Sequence, residues 1–308
     1  MKIIKVEQNN IGIRIDEFLA QEFFSLSRGE IIKNIREGNI LVNKGIIKPS
    51  YHLKESDEIE SAISFEREGI MPSNKIKLNL IYSDDNIIVI NKPAGIQIHP
   101  DSNEKSNTLV NALLARFPEI KNVHEESLGA YLRPGIVHRL DKETSGIVIV
   151  ARNQKSFEEL KNLFQNRKVR KKYVALVYGQ LKDKRGIITK SIARAGNYKK
   201  QTVAGLKTKT KIRGAVTEYK QLKRFSNYSL VEVRPLTGRM HQIRIHLFSI
   251  GHPIVGDKLY KLKSIKSNFL AKRHLLHAEQ LDFTLFGQKF SFFAPLPEDF
   301  NIFLKNID

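Results

Sequence analysis

The stretch VHRLDKETSG, residues 137–146, sets one carboxylate, Asp141, between Arg139 and Lys142, with His138 three positions upstream. Two chemistries fit those residue types. On a solvated loop the aspartate would form ordinary ion pairs. Kept ionised by a neighbouring cation, it can act as a nucleophile or a base. The cation need not be local. In PLTGRMHQIRIHLFSIGHP, residues 235–253, Thr237 reads as a helix cap and Gly251 with Pro253 as a helix stop. A helix between them carries His241 and Arg244 on one face, with Phe248 a turn further on, and turns Ile243, Leu247 and Ile250 to the core. Arg244 is then a natural ion-pair partner for a distant carboxylate. Metal ligation by His241 and His246 is disfavoured, because a spacing of five suits neither i+3 nor i+4 and no acidic residue supports it.

Other chemistries lack their residues. No second Asp or Glu is obviously paired with Asp141 for the acid/base division of a glycosidase. No serine sits in a G-x-S-x-G elbow, and no Walker-type phosphate loop is present. With no cysteine, disulfides and thiolate metal sites are excluded. Lone-aspartate chemistry without metal or cofactor is the expectation.

The charge points to the substrate class. The formal net charge is +20, and between Lys161 and Arg224 there are 20 Lys or Arg against only Asp183 and Glu218. Solubility alone rarely needs such a one-signed field, so a polyanion, and first of all nucleic acid, is the expected partner. A proteome-wide lysine bias is the bland alternative. An anionic membrane surface fits less well, because these cations fall in strand-like segments and not on one amphipathic helix. Apolar runs such as Ile87-Ile88-Val89-Ile90 are far short of a membrane span, and the first residues carry no signal-peptide pattern. A cytoplasmic protein is expected.

The elements that must hold these groups divide near residue 65. Ile13, Ile15, Phe18, Leu19 and Phe23 have helical period, and Ser27 caps a second helix from Arg28 to Glu37, stopped by Gly38 and Asn39. A strand at ILVN, a turn at Asn43-Lys44-Gly45 and a short strand at LKESDEIE follow. Residues 63–78 read as a linker. Beyond it, IIVIN, GIVIVA, YVALVYG, AVTEYKQL and YSLVEVRP are strands, and TLVNALLARF and NQKSFEELKNLFQNR are helices, the second ending in a basic turn that suits its dipole. Successive strands without intervening helices predict an α+β protein, with a small α/β module followed by a mixed, largely antiparallel β-sheet domain with flanking helices. Asp141 falls on the loop that leads into a core strand, where reactive groups tend to lie.

The first module, through RIDEFL, SRGEIIKNIREGNILVN and KPSYHLKESDEIE, resembles the S4 RNA-binding domain over residues 12–62. That resemblance implies RNA contacts from Arg28, Lys33, Arg36, Lys44 and Lys48. Residues 1–60 hold nine basic and ten acidic residues, so those contacts form a local patch. HRLDKETSG, KKYVALVYG (171–179) and PLTGRMHQIRIHL (235–247), extended by NKPAGIQIHP, LLHAEQLDF and FFAPLP, resemble the RluA-type pseudouridine synthases of large-ribosomal-subunit RNA over residues 79–305. TLVNALLARFPEI and LRPGIVHRLDKETSG look most like the D-type subgroup, though relatives that modify tRNA share these motifs.

The resemblance implies that Asp141 is the catalytic aspartate and that Arg244 pairs with it. It gives Tyr173 stacking on the target base and help in proton removal. It has Arg139 enter the space left by a flipped-out uridine. It extends RNA contact to His138, Arg239, His241, Lys171 and Lys172, and it implies a monomer with no cofactor. Met240 departs from the usual Thr or Ser of the family. Whether the aspartate attacks the sugar, attacks the base or acts by elimination is open from sequence. A non-catalytic RNA-binding or ribosome-assembly protein is the competing class, and a membrane-surface binder the third.

Overall fold

A computed structural model describes residues 2–22, 26–63, 70–101, 104–126, 130–195, 200–205, 208, 210–262 and 271–307. Phe23, residues 196–199, 206, 207 and 209 of the cationic stretch, and the middle of the expected linker, residues 64–69, lie outside them. The chain forms two compact units, Met1–Met71 with Lys121–Pro134, and Pro72–Ile120 with Gly135–Asp308.

In the first unit, strands β1 (Lys2–Lys5), β2 (Ile40–Val42) and β3 (Glu58–Ser61) make an antiparallel sheet in the order β1-β3-β2. Helices α1 (Ile15–Glu22) and α2 (Arg28–Arg36) belong to the same unit. The helical period places Ile15, Leu19, Ile31 and Ile35 in one core with Ile40 and Ile59, all fully buried. Ser27 caps α2 through a reciprocal box with Glu30, which satisfies two otherwise orphaned amide donors. Asn43 and Lys44 both take positive φ, 49° and 62°, at the expected turn.

The second unit holds β4 (Leu80–Ser83), β5 (Ile87–Lys92), α3 (Leu109–Arg116), β6 (Ser145–Ala151), α4 (Gln154–Gln165), β7 (Arg170–Tyr178) and β8 (Arg185–Ile188). It continues with β9 (Ile192–Arg194), β10 (Gln201–Val203), β11 (Thr217–Arg224), β12 (Tyr228–Pro235), α5 (Gln242–Ser249), β13 (Leu276–Leu285), β14 (Gln288–Phe293) and α6 (Glu298–Lys305). The main sheet runs β4-β5-β6-β13-β7-β12-β11-β8, with β14 beside β13, while β9 and β10 pair separately. Among the described residues β6 and β13 are its one parallel pair. This is the expected mixed, largely antiparallel sheet. β6 is buried at all seven positions, which is why GIVIVA reads as a continuous apolar run and does not alternate.

Two local expectations are corrected. Helix α5 starts at Gln242, not after Thr237. Thr237 Oγ1 is spent on an interior hydrogen bond to Gln242 Oε1, 2.7 Å, and accepts the Val216 amide. His241 takes the N-cap position in a left-handed conformation, φ 55°. Helix α4 ends at Gln165 with no basic residue in its last turn; Arg167 follows at φ 58°, past the point where the helix can continue.

Candidate active site

The Asp141 loop is pinned from several sides. Thr144 N–H donates to Asp141 O and closes a turn, 3.0 Å. Lys92, at the end of β5 and fully buried, donates from Nζ to the carbonyls of Pro93, Ile96 and Lys142 at 2.8, 3.0 and 3.1 Å. Burial lowers its pKa to about 7, with Glu143 opposing and Arg273 adding to the shift. Thr144 Oγ1 pairs with His274 Nε2 at 2.8 Å, and Ser145 Oγ with His277 Nδ1 at 2.9 Å. Gly146, at φ 113°, has no room for a side chain: a Cβ there would stand 2.2 Å from Ala278 O on β13. The TSG sequence therefore fastens the loop to the parallel neighbour strand.

Arg244 reaches Asp141 across 103 residues of chain, Nη1 donating to Oδ2 at 2.8 Å. The arginine is 5% exposed. Its other edge is held bidentately by Asp257, Nε to Oδ2 at 2.7 Å and Nη2 to Oδ1 at 2.9 Å. Asp257 in turn accepts the amides of Leu259 and Tyr260. A fork held this way has its orientation set before Asp141 engages it. Gly256 permits the turn: it has φ 77°, and a Cβ would stand 2.0 Å from Arg273 O.

Burial alone would raise the Asp141 carboxyl, but at the acidic pH where it titrates the charge of a then-protonated His241, with the charge and hydrogen bond of Arg244, outweighs burial and holds the group below the usual carboxylate range. His241 is itself pushed down by burial and by Arg244, so Arg244 is the standing cation at neutral pH. Oδ1 of Asp141 receives no hydrogen bond from any described residue and is left for a ligand. The site opens into a cavity of about 420 Å³ lined by five cations, Arg139, Lys142, Arg244, Lys258 and Arg273, against Asp101, Asp141 and Glu143. Such a lining suits a substrate that carries phosphates.

Of the residues expected from sequence, Asp141, Arg139, His241 and Arg244 meet at this cavity. Tyr173 lies in β7, packed against the apolar cluster that includes Ile243 and Leu247. Burial and the Asp141 charge both raise its phenol, which is neutral at physiological pH. His138 does not line the cavity; Nε2 accepts the Ile149 amide of β6 at 2.9 Å and the ring stacks on Phe164. Its work is in the framework. Lys172 is paired with Glu279 at 2.9 Å, whereas burial and Arg167 lower Lys171 to about 8, its ammonium lying beside Gly238. Arg239 is exposed, outside the cavity lining.

In the first unit Arg36 and Lys44 are exposed and Lys33 faces Glu37 at 3.7 Å. Arg28 is engaged by Glu17 and by the buried Asp16, which also binds Arg14. His246 has both ring nitrogens in use, with Thr217 and with the Lys190 carbonyl, so it presents no lone pair to a metal. Sequence reasoning missed Lys92, Asp257, Tyr260 and His274. Lys92 lay inside the NKPAGIQIHP run and Asp257 directly after Gly256 in a turn that follows a helix stop, while Tyr260 and His274 carried no local signal.

A mixed sheet that holds an arginine-paired carboxylate beside a cationic cavity fits an enzyme that acts on an anionic substrate. The RNA pseudouridylate synthase family model matches residues 86–249 and the S4 domain model residues 13–59. An uncharacterised RNA pseudouridine synthase of Aquifex aeolicus is 41% identical over 82% of this chain and 78% of its own. Ribosomal large subunit pseudouridine synthase D of Pseudomonas aeruginosa is 34% identical over 94% of this chain and 90% of its own. The solved structure of human RNA pseudouridylate synthase domain containing 1 superposes with a TM-score of 0.59 at 27% identity, covering 73% of this chain and 85% of that one. The chain belongs to the RNA pseudouridine synthase family, isomerases that act on RNA, and carries an S4 RNA-binding domain.

Proposed function

We propose that the chain isomerises specific uridines to pseudouridine in large-subunit ribosomal RNA, in the cytoplasm, with Asp141 as the catalytic carboxylate. In this reading residues 12–62 form the S4-like module, 63–78 the linker and 79–305 the catalytic domain. The observation that carries it is the Arg244–Asp141 pair at 2.8 Å, in which Oδ1 receives no hydrogen bond from a described residue and Asp141 lines a cationic cavity. Arg244 favours the ionised carboxylate against the opposing push of burial. An ionised carboxylate is what attack or proton abstraction requires.

The target base must leave its stack, at a cost of roughly a few kcal/mol. Arg139, exposed at the cavity mouth, fills the space the base vacates. Tyr173 stacks on the flipped base as a neutral phenol; its raised pKa argues against a phenolate base. Exposed cations on β8 and β11, Arg185, Lys220 and Arg224 among them, supply phosphate contacts that offset part of the flipping cost. Relatives named ribosomal large subunit pseudouridine synthase D favour large-subunit RNA as the substrate.

The test is pseudouridine mapping of large-subunit rRNA and of total tRNA after treatment with the protein. New sites in rRNA support the reading. New sites confined to tRNA would replace the substrate, and none in either, despite tight binding, would favour the non-catalytic RNA-binding alternative.

A further inference from the structure

Beside Arg244 a second group faces Asp141. His241 Nε2 stands 3.8 Å from Asp141 Oδ2, too long for a direct hydrogen bond and close enough for both to touch one ligand. Its backbone lies in the left-handed region, φ 55° and ψ 17°, a conformation that costs a non-glycine residue on the order of 1–3 kcal/mol and persists where the surroundings impose it. Its side chain is held by Tyr260, 4% exposed, whose hydroxyl lies 3.0 Å from His241 Nδ1 and whose ring packs edge-on to the imidazole.

Hydrogen-bond accounting then fixes the imidazole. The Gln201 amide donates to the Tyr260 hydroxyl at 2.8 Å, so that oxygen is already an acceptor. Its own proton needs a partner, and among the described residues His241 Nδ1 is the one in reach. Were Nδ1 protonated instead, the buried hydroxyl proton would have no acceptor, and a bare Nε2 lone pair would face the Asp141 carboxylate. Both faults vanish when Tyr260 donates to Nδ1 and the ring proton sits on Nε2.

We propose that His241 is a neutral Nε2–H donor to a carbonyl oxygen of the target uracil, with Tyr260 as the positioning residue that fixes its tautomer. This rests on the pseudouridine reading above. When the glycosidic bond breaks, uracil N1 leaves with the bonding electron pair, and the charge spreads to the two carbonyl oxygens. The deficit at the sugar carbon is met by Asp141 or by loss of a neighbouring ribose proton. A fixed N–H at a carbonyl strengthens its bond as that charge grows and so favours the transition state over bound substrate. At O4 a cytosine amino group would set donor against donor, so a contact to that oxygen also reads the base. Burial keeps the imidazole unprotonated at neutral pH, against the opposing pull of Asp141.

The experiment has two arms. Nitrogen-15 correlation spectra of the free protein should show His241 protonated on Nε2 alone, with that single-tautomer signature lost in Tyr260→Phe. In turnover, His241→Asn tolerates the left-handed backbone but cannot reach with a donor, and it should lose about 10²- to 10³-fold in kcat, with a much smaller loss of RNA affinity. His241→Gln, whose amide nitrogen can occupy the Nε2 position, should recover most of the loss. A wild-type ring protonated on Nδ1, or a His241→Asn enzyme as fast as wild type, would overturn the proposal. An inactive wild type would count against the pseudouridine reading, while the spectra would still decide the tautomer.

Discussion

Arg244 serves two carboxylates, and they do not stand in equal relation to it. Asp257 binds it twice and also takes two backbone amides, whereas Asp141 binds it once and keeps an oxygen for substrate. Asp257→Asn should therefore loosen Arg244, lower kcat at least about tenfold and, by weakening the cation that holds Asp141 ionised, move the acid limb of the kcat–pH profile up. A pH–rate series on the variant checks this; an unmoved limb with full activity would separate Asp257 from the site. Asp141→Asn should abolish turnover while RNA affinity and fold persist.

Asp141 and Arg244 were legible because each sits in a dense local motif. Asp257 and Tyr260 were not, since their roles exist only once the chain after α5 folds back onto the helix. Lys92 was hidden for the same reason: its three carbonyls come from two segments fifty residues apart. His138 shows the converse, a motif residue whose ring the structure spends on a strand amide and a phenylalanine face.

Strands β5, β6, β7, β11 and β12 announced themselves through β-branched and aromatic runs. β8, β9 and β10 did not, being short and carrying Arg185, Arg194 and Gln201 among few apolar residues. Their pairing is set by neighbours, not by propensity. Helix α5 was recognisable, but its start was misread because an interior threonine resembles a cap. The parallel β6–β13 contact depends on Gly146. Gly146→Ala would drive a methyl into the Ala278 backbone, and that strand cannot yield without giving up its register. A loss of roughly 1–3 kcal/mol in denaturant titrations is expected, with kcat falling as the Asp141 loop shifts. On the basic strands, Lys220→Glu should weaken RNA binding and make its dependence on log salt shallower by about one unit, leaving kcat at saturating RNA unchanged.

For the molecule as a whole, half-buried His138 and buried His274 set the response to acid. Burial lowers His138 and His274 from 6.5 to about 3. The unfolded chain therefore binds those protons first, and the stability they contribute is complete above pH 6.5 and is lost as pH falls from 6.5 toward 3. Each histidine is worth roughly 1.4 kcal/mol per pH unit in that window. Asp16, Asp141, Asp257 and Asp299 have folded values below 3.8, so their contribution persists above that pH and is lost only as pH falls further. Denaturant melts should accordingly show stability falling from about pH 6.5, well before the carboxylates titrate; a flat profile down to pH 4 would contradict these neutral histidines.

The most direct test of Asp141 as the catalytic carboxylate is tritium release from large-subunit rRNA labelled at uridine C5, because forming pseudouridine displaces that hydrogen. Wild-type protein should release tritium in step with new pseudouridine, and Asp141→Asn, bound to the same RNA with equal affinity, should release none. Release by the variant at the wild-type rate would remove Asp141, and the ion pair built around it, from the chemistry.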